Sequence, residues 1–143
     1  MSNYVLDASI AAKWFLPSDG ESLKSEALTV LQEYVAGRLR LVVPDLFWPE
    51  VGNILWKASR VGRISKSSAM QAIGVLKEQS IPTYPSFPLF HNAFTIATNF
   101  DRTVYDSIYI ALAVELNIAF LTADERLANA LAARFPIRWL GAL

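Results

Sequence analysis

Residues 4–16, YVLDASIAAKWFL, decide the fold, because they predict a buried strand that leads directly into a helix. Tyr4–Asp7 is a short apolar run ending in an acid, which is typical of a strand in the interior of a sheet. Ala8–Leu16 follows with a helical pattern, and Pro17 ends it because a helix interior does not tolerate proline. The chain therefore opens with a β-strand and an α-helix.

The same alternation continues to the C-terminus. Apolar runs predict further strands over residues 39–43, 118–121 and 137–139. Apolar spacing and helix-ending residues predict helices over residues 22–36, from after Pro44 to about Val61, and over 65–79, 90–99, 103–116 and 125–135. Residues 81–88 contain three prolines, so we expect an extended strand or loop there and no helix. Strands separated by helices predict an α/β fold with a mainly parallel sheet, and 143 residues predict one domain, 1–143.

Composition excludes several classes of protein. The chain carries 13 basic and 13 acidic residues, which argues against binding nucleic acid mainly through bulk charge, although a local basic patch is compatible with this balance. A hydrophobic fraction of 53% excludes a disordered chain. The absence of cysteine excludes disulfides, zinc–thiolate sites and a thiol nucleophile. We find no signal-peptide pattern and no membrane span, and we therefore expect a cytoplasmic location.

The sequence also lacks the motifs of several common active sites. His91 is the only histidine, which excludes a two-histidine ribonuclease and a polyhistidine metal site. The six glycines form no dinucleotide-binding fingerprint, no phosphate-binding loop and no serine-nucleophile elbow. Carboxylates are the remaining side chains on which an active site could be built.

Four acids stand at informative positions: Asp7, Glu50, Asp106 and Asp124. Each has a structural explanation as a helix cap or as an acid in the first turn of a helix, where it favours the helix dipole. Taken singly, capping is the better explanation for each of them.

Two features favour a shared site when the acids are taken together. Asp106 lies on the same face as Tyr109 on a helix that is apolar on nearly every side, and a buried acid is rarely left unpaired. Asp7 and Asp124 each fall just beyond a predicted strand, at the edge of a parallel sheet where ligands bind. Four converging carboxylates would repel one another, and the basic residues look too scattered to neutralise them. A hard divalent cation, Mg²⁺ or Mn²⁺, would do so and would suit hydrolysis of a phosphodiester.

Four segments resemble the PIN domain family, most closely the VapC-type toxin ribonucleases of prokaryotic toxin–antitoxin pairs. The segments are Val-Leu-Asp7-Ala-Ser9, Pro44-(x)5-Glu50-Val-x-Asn53, Tyr105-Asp106-Ser-x-Tyr-x-Ala-Leu-Ala and Leu-Thr122-x-Asp124-x-x-Leu. They run through the whole chain in the usual order and spacing, and no acidic position departs from the pattern.

This resemblance implies a three-layer α/β/α sandwich and Mg²⁺- or Mn²⁺-dependent cleavage of RNA. It implies that Asp7 and Asp106 are the primary metal ligands and that Glu50 and Asp124 act partly through water. Ser9 and Thr122 would hydrogen-bond the carboxylates or a water of the cation. The resemblance further implies a homodimer and an antitoxin protein whose C-terminal segment blocks the site.

Basic residues that could contact RNA phosphates lie near two of the acids. Lys57, Arg60 and Arg63 follow Glu50, where they could equally form a solvated helix face, and Arg102 precedes Asp106. The alternatives to a toxin are a PIN nuclease of RNA processing or decay, and a non-catalytic binding module in which the acids are only caps. A neighbouring gene for a small protein with a DNA-binding N-terminus would favour the toxin.

Overall fold

The computed structural model describes all residues from Met1 to Leu143. Its five strands are β1 (Ser2–Leu6), β2 (Leu39–Pro44), β3 (Thr83–Tyr84), β4 (Ala119–Thr122) and β5 (Ile137–Trp139). Its seven α-helices are α1 (Ala8–Lys13), α2 (Lys24–Val35), α3 (Phe47–Arg60), α4 (Lys66–Glu78), α5 (Phe90–Phe100), α6 (Val104–Leu116) and α7 (Glu125–Leu131). No helix combines the length and the apolar character that a membrane crossing requires.

All strands pair in parallel in a single sheet of order β3-β2-β1-β4-β5, which confirms the predicted α/β fold. From β1 the chain moves outward through β2 to β3, then returns past β1 to β4 and β5. Because parallel crossovers are right-handed, this reversal places α1–α4 on one face of the sheet and α5–α7 on the other. Packing among α1–α4, and separately between α5 and α6, agrees with this three-layer arrangement.

The sheet and α6 form the centre of the core. Seven successive α6 residues, Ser107–Ala113, are buried, and the Tyr109 ring stacks on Phe120 of β4 with 5.1 Å between ring centroids. A helix that is apolar on nearly every side is typical of a position with protein all around it. This packing fixes the start of α6, and with it Asp106, against the sheet.

Several element ends differ from the predicted ones. α1 ends at Lys13 and not at Leu16, because the Trp14 and Phe15 amides bond carbonyls three residues back and form turns ahead of Pro17. α2 begins at Lys24 and not at residue 22, because Leu23 adopts a left-handed conformation with φ of 58°. α7 ends at Leu131, after which residues up to Phe135 form turns leading to Pro136.

The proline-rich segment also differs in one respect from the prediction. It contains the short strand β3, as expected, but a 3₁₀ turn then begins at Phe87 and includes Pro88. The expectation of no helix up to residue 88 is therefore wrong at its end. Proline is accepted in a first helical turn, where its missing N–H group has no partner to lose.

Candidate active site

The four candidate acids come from four elements that meet at the carboxyl edge of the sheet. Asp7 follows β1 and caps α1, and Asp124 lies beyond β4 and caps α7. Glu50 and Asp106 lie in the first turns of α3 and α6. β1 and β4 are neighbours at the point where the order of the strands reverses, which is the usual ligand-binding position of an open parallel sheet. Sequence order alone does not show this adjacency.

These acids line a cleft of about 460 Å³, which we call the acid cleft. Its polar lining consists of Asp7, Ser9, Lys13, Glu21, Glu50, Arg63, Asp106 and Asp124. The structure thus brings all four predicted acids and Ser9 together, with Thr122 buried directly behind them.

Asp7 is the most firmly held of the acids. Its Oδ2 accepts a hydrogen bond from Thr122 Oγ1 at 2.7 Å, and its Oδ1 accepts one from the Ser9 amide at 3.3 Å. Burial raises the pKa of the Asp7 carboxyl, and these hydrogen bonds only partly oppose that rise. The geometry therefore fixes a carboxylate whose charge is poorly compensated by the protein.

Thr122 connects two of the acids. Its hydroxyl donates to Asp7 and accepts from the amide of Asp124 at 3.0 Å, while Asp124 Oδ1 accepts from the Leu127 amide at 3.1 Å. The Thr122 hydroxyl thus holds the end of β1 against the start of α7. This matches the hydrogen-bonding position that the resemblance gives Thr122.

Glu50 and Asp106 have less support from the protein. Burial is the main cause that raises the pKa of each, and neighbouring acids raise it further. The positive charge of Arg102 lowers the Asp106 pKa in part. Glu50 Oε1 is buried next to the Tyr109 hydroxyl, which lowers the Glu50 pKa in part, and Ser9 Oγ is buried beside Asp7. Neither oxygen makes a hydrogen bond of ordinary geometry within the protein.

Capping accounts for part of this arrangement. Asp7 and Asp124 are true N-caps, and Thr103 accepts a hydrogen bond from the Asp106 amide at 3.1 Å. Capping does not explain the shared cleft, because a cap needs only its own helix. Asp7 and Asp124 are therefore both helix caps and members of the shared cleft.

The donor set fits a hard cation that keeps part of its own hydration. Every candidate ligand is an oxygen, which suits Mg²⁺ or Mn²⁺. No three acidic or histidine side chains are grouped closely enough to hold one ion among them. Mg²⁺ is commonly held by one or two carboxylates while water fills its other positions, so this spacing is compatible with it.

The predicted basic residues divide into two groups. Arg102 lies near Asp106, and Arg63 lines the acid cleft itself. Lys57 and Arg60 lie outside the acid cleft, in a smaller adjoining groove of about 360 Å³ that we call the side groove. The side groove is lined by Leu16, Ile54, Lys57, Ala58, Arg60, Val61 and Arg63. The basic residues are therefore less scattered than the sequence suggested.

Sequence reasoning missed two charged residues of the acid cleft. Lys13 lies one helical turn beyond Ser9 on α1, and Glu21 lies in the turn between α1 and α2. A lysine inside the apolar helical pattern 8–16 was the available signal for the first. The position of Glu21 depends on a loop path that no periodic pattern encodes.

This chain is similar to known proteins in both sequence and fold. Ribonuclease VapC3 of Pyrobaculum aerophilum is 31% identical over 134 residues, which span 92% of this chain and 94% of that protein. The crystal structure of PAE2754 from P. aerophilum superposes with a TM-score of 0.67 at 22% identity, covering 90% of this chain and 79% of that one. A toxin–antitoxin complex from Klebsiella pneumoniae superposes with a TM-score of 0.65 at 13% identity, covering 96% and 97%. The sequence pattern of the PIN domain matches residues 4–131, and the chain therefore belongs to the PIN domain family.

Proposed function

We propose that this chain is an endoribonuclease that hydrolyses RNA phosphodiester bonds with the help of Mg²⁺ or Mn²⁺. The observation that carries the proposal is the acid cleft, which is lined by four carboxylates from four elements. The name of the ribonuclease relative supports RNA as the substrate. Residues 1–143 would act as one nuclease domain.

In this proposal Asp7 and Asp106 hold the cation, and Glu50 and Asp124 contribute partly through water. When bound, the cation supplies Lewis-acid activation of water and of the phosphodiester. Thr122 and the Ser9 amide keep the Asp7 carboxylate in one orientation, so little reorganisation is needed when the ligand arrives. The Ser9 hydroxyl, buried beside Asp7, would also help to hold that carboxylate.

The basic residues give the RNA strand a path to the acids. Arg63 lies on the border between the acid cleft and the side groove, where Lys57 and Arg60 follow. Phosphates bound along this path would position the strand without reading its sequence. Arg102, beside Asp106, would contact a phosphate at the cleft itself.

The test is cleavage of a mixed pool of RNAs by the purified protein in Mg²⁺, Mn²⁺ or EDTA. We expect cleavage with either metal, none in EDTA, and loss in Asp106→Asn, which keeps the side-chain shape but removes the charge. Asp45→Asn is the matched control, because Asp45 follows β2 at the same edge but bonds the Ser86 amide and does not line the cleft. Absence of both cleavage and Mn²⁺ binding in the unmodified protein would overturn the proposal.

We propose further that the nuclease is the toxin of a type II toxin–antitoxin pair, that it acts in the cytoplasm and that it forms a homodimer. The toxin–antitoxin complex of similar fold supports an antitoxin partner. A neighbouring gene encoding a small protein that binds this chain and stops RNA cleavage would be the expected finding. An isolated gene would instead favour a nuclease of RNA processing or decay. Sedimentation equilibrium tests the homodimer.

A further inference from the structure

Three charged side chains form one wall of the acid cleft, and the proposed function gives a role to only one of them, Arg63. Lys13 Nζ donates to Glu21 Oε1 at 3.1 Å, and Arg63 Nη2 donates to Glu21 Oε2 at 3.2 Å. Both oxygens of one carboxylate are thus engaged by different cations. We call these three residues the wall network.

The wall network is anchored from its buried end. The Lys13 and Glu21 side chains are only 10% and 14% exposed, and Lys13 also donates to the Ser22 carbonyl at 2.8 Å. Gly20, with φ of 82°, turns the loop so that the Asp19 carbonyl accepts a second bond from Arg63 Nη2 at 3.4 Å. The loop between α1 and α2 therefore holds the guanidinium in one place.

The fixed guanidinium still has donors to offer. Glu21 and the Asp19 carbonyl use only Nη2, and neither Nη1 nor Nε has a hydrogen-bond partner in the protein. The Arg63 side chain is 36% exposed, so part of it is open to a ligand. Guanidinium groups form strong charge-assisted hydrogen bonds with phosphate oxygens.

The position of Arg63 is also specific. It lines both the acid cleft and the side groove, whereas Lys57 and Arg60 line only the side groove. Arg63 is the one charged residue that lines both grooves, so it lies where a strand running from the side groove to the acids would contact the protein. Arg63 is therefore placed to contact the phosphate that precedes or follows the one in the cleft.

Glu21 is an acidic residue beside the proposed path of the RNA, where its negative charge is unfavourable. A lone Glu21 would repel the strand, but with Lys13 and Arg63 the network carries a net positive charge of one. If positive charge were the only requirement, the two cations without the acid would attract RNA more strongly. What Glu21 adds is orientation, because it connects the exposed guanidinium to a nearly buried lysine.

We propose that Arg63 binds an RNA phosphate adjacent to the cleaved bond and that Glu21, anchored by Lys13, is the positioning residue for Arg63. This inference rests on the proposed ribonuclease function and extends it to a second phosphate site. The competing explanation is that the wall network only fastens the loop between α1 and α2 to the end of α3.

The first experiment measures binding of a fluorescein-labelled, mixed-sequence single-stranded RNA to protein carrying Asp106→Asn, in Mn²⁺ and at several salt concentrations. Adding Arg63→Ala should weaken binding about tenfold and reduce the slope of log affinity against log salt by about one. Arg38→Ala is the matched control, because Arg38 pairs with Glu33 on the surface outside both grooves and should change neither quantity. Arg63→Lys, which retains the charge, should keep the slope but bind more weakly.

The effect of Glu21→Gln on RNA binding distinguishes a positioning role of Glu21 from a purely electrostatic one, because the two roles predict opposite changes in affinity. It removes a negative charge, so a purely electrostatic role predicts tighter RNA binding. The positioning role predicts binding weaker by about threefold, because the guanidinium loses its fixed orientation. Glu33→Gln makes the same chemical change in the surface pair and should leave RNA binding unchanged.

Cleavage kinetics and thermal unfolding complete the test. In otherwise unmodified protein, Arg63→Ala should raise KM for the RNA pool more than it lowers kcat. RNA affinity and KM equal to those of the parent protein, with only the unfolding temperature lowered, would overturn the phosphate site and leave a structural fastening. If the unmodified protein neither binds nor cleaves RNA, the ribonuclease function fails first, and the two failures are therefore distinguishable.

Discussion

Replacing Thr122 by valine tests the connection between β1 and α7. Valine has nearly the same shape as threonine, and Thr122 is fully buried, so packing is preserved while the hydroxyl is lost. The change removes the 2.7 Å bond to Asp7 and leaves the Asp124 amide without its 3.0 Å acceptor. It therefore isolates the two hydrogen bonds of a single oxygen atom.

The expected loss of stability follows from these two bonds. A hydrogen bond to a charged group contributes about 1.5–3 kcal/mol, and an amide that loses its acceptor costs about 1–3 kcal/mol when water cannot reach it. Asp124 is exposed, so water can partly satisfy its amide, and the second loss lies at the low end. We therefore expect Thr122→Val to lower the free energy of unfolding by about 2.5–4 kcal/mol.

Urea unfolding in EDTA, followed by circular dichroism, measures this difference. Thr29→Val is the matched control: Thr29 is exposed on α2 and bonds only a carbonyl of its own helix, so its replacement should change stability by less than about 0.5 kcal/mol. The Asp7 pKa should also rise further in Thr122→Val, because the lost bond lowers it. Equal stability losses in the two variants, with an unchanged Asp7 pKa, would refute the reasoning.

Three further predictions concern the acids, a close contact and a helix cap. Burial raises the pKa of Asp7 and Asp106 above the ordinary 3.8 and that of Glu50 above 4.5. A raised pKa in the folded state stabilises the protein at pH values below the ordinary pKa, and this stabilisation is lost as the pH rises through the raised pKa. The unfolding temperature in EDTA should therefore fall toward neutral pH, less steeply in Asp7→Asn, and saturating Mn²⁺ should restore it; a slope unaffected by Asp7→Asn would contradict this. Gly141→Ala should cost about 1–3 kcal/mol in urea unfolding, because its methyl group would overlap the Trp139 ring; Gly74→Ala, where the space is open and φ is not positive, is the matched control and should not destabilise the protein. Ser65→Ala should cost about 0.5–2 kcal/mol through loss of the α4 cap, whereas Ser67→Ala, inside the helix, should be nearly neutral.

Much of the fold could be predicted because short-range patterns determine it. The strands are apolar runs bounded by prolines or by polar and acidic residues, and the Ser65 cap and Gly62 mark helix ends that the structure confirms. The ends that were wrong depend on single backbone conformations. Leu23 is left-handed although leucine rarely adopts that state, and no pattern of side chains indicates it.

The candidate site was predictable to the extent that strand ends are. Asp7 and Asp124 each follow an apolar run, and Asp106 interrupts an apolar helix, so each acid stands out against its neighbours. Lys13 and Glu21 do not, because their meeting depends on a turn and on tertiary packing across the loop. The roles of all four acids stay predictions until the cleavage assay is done.

Both edges of the sheet end in very short strands next to proline. β3 has two residues between Pro82 and Pro85, and β5 has three residues after Pro136. Each proline lacks the N–H group that strand pairing needs, and so few remaining groups cannot template another strand. The fold is thereby protected against edge-to-edge aggregation. We therefore expect partners, including a second copy of this chain, to bind through helices and side chains and not by extending the sheet.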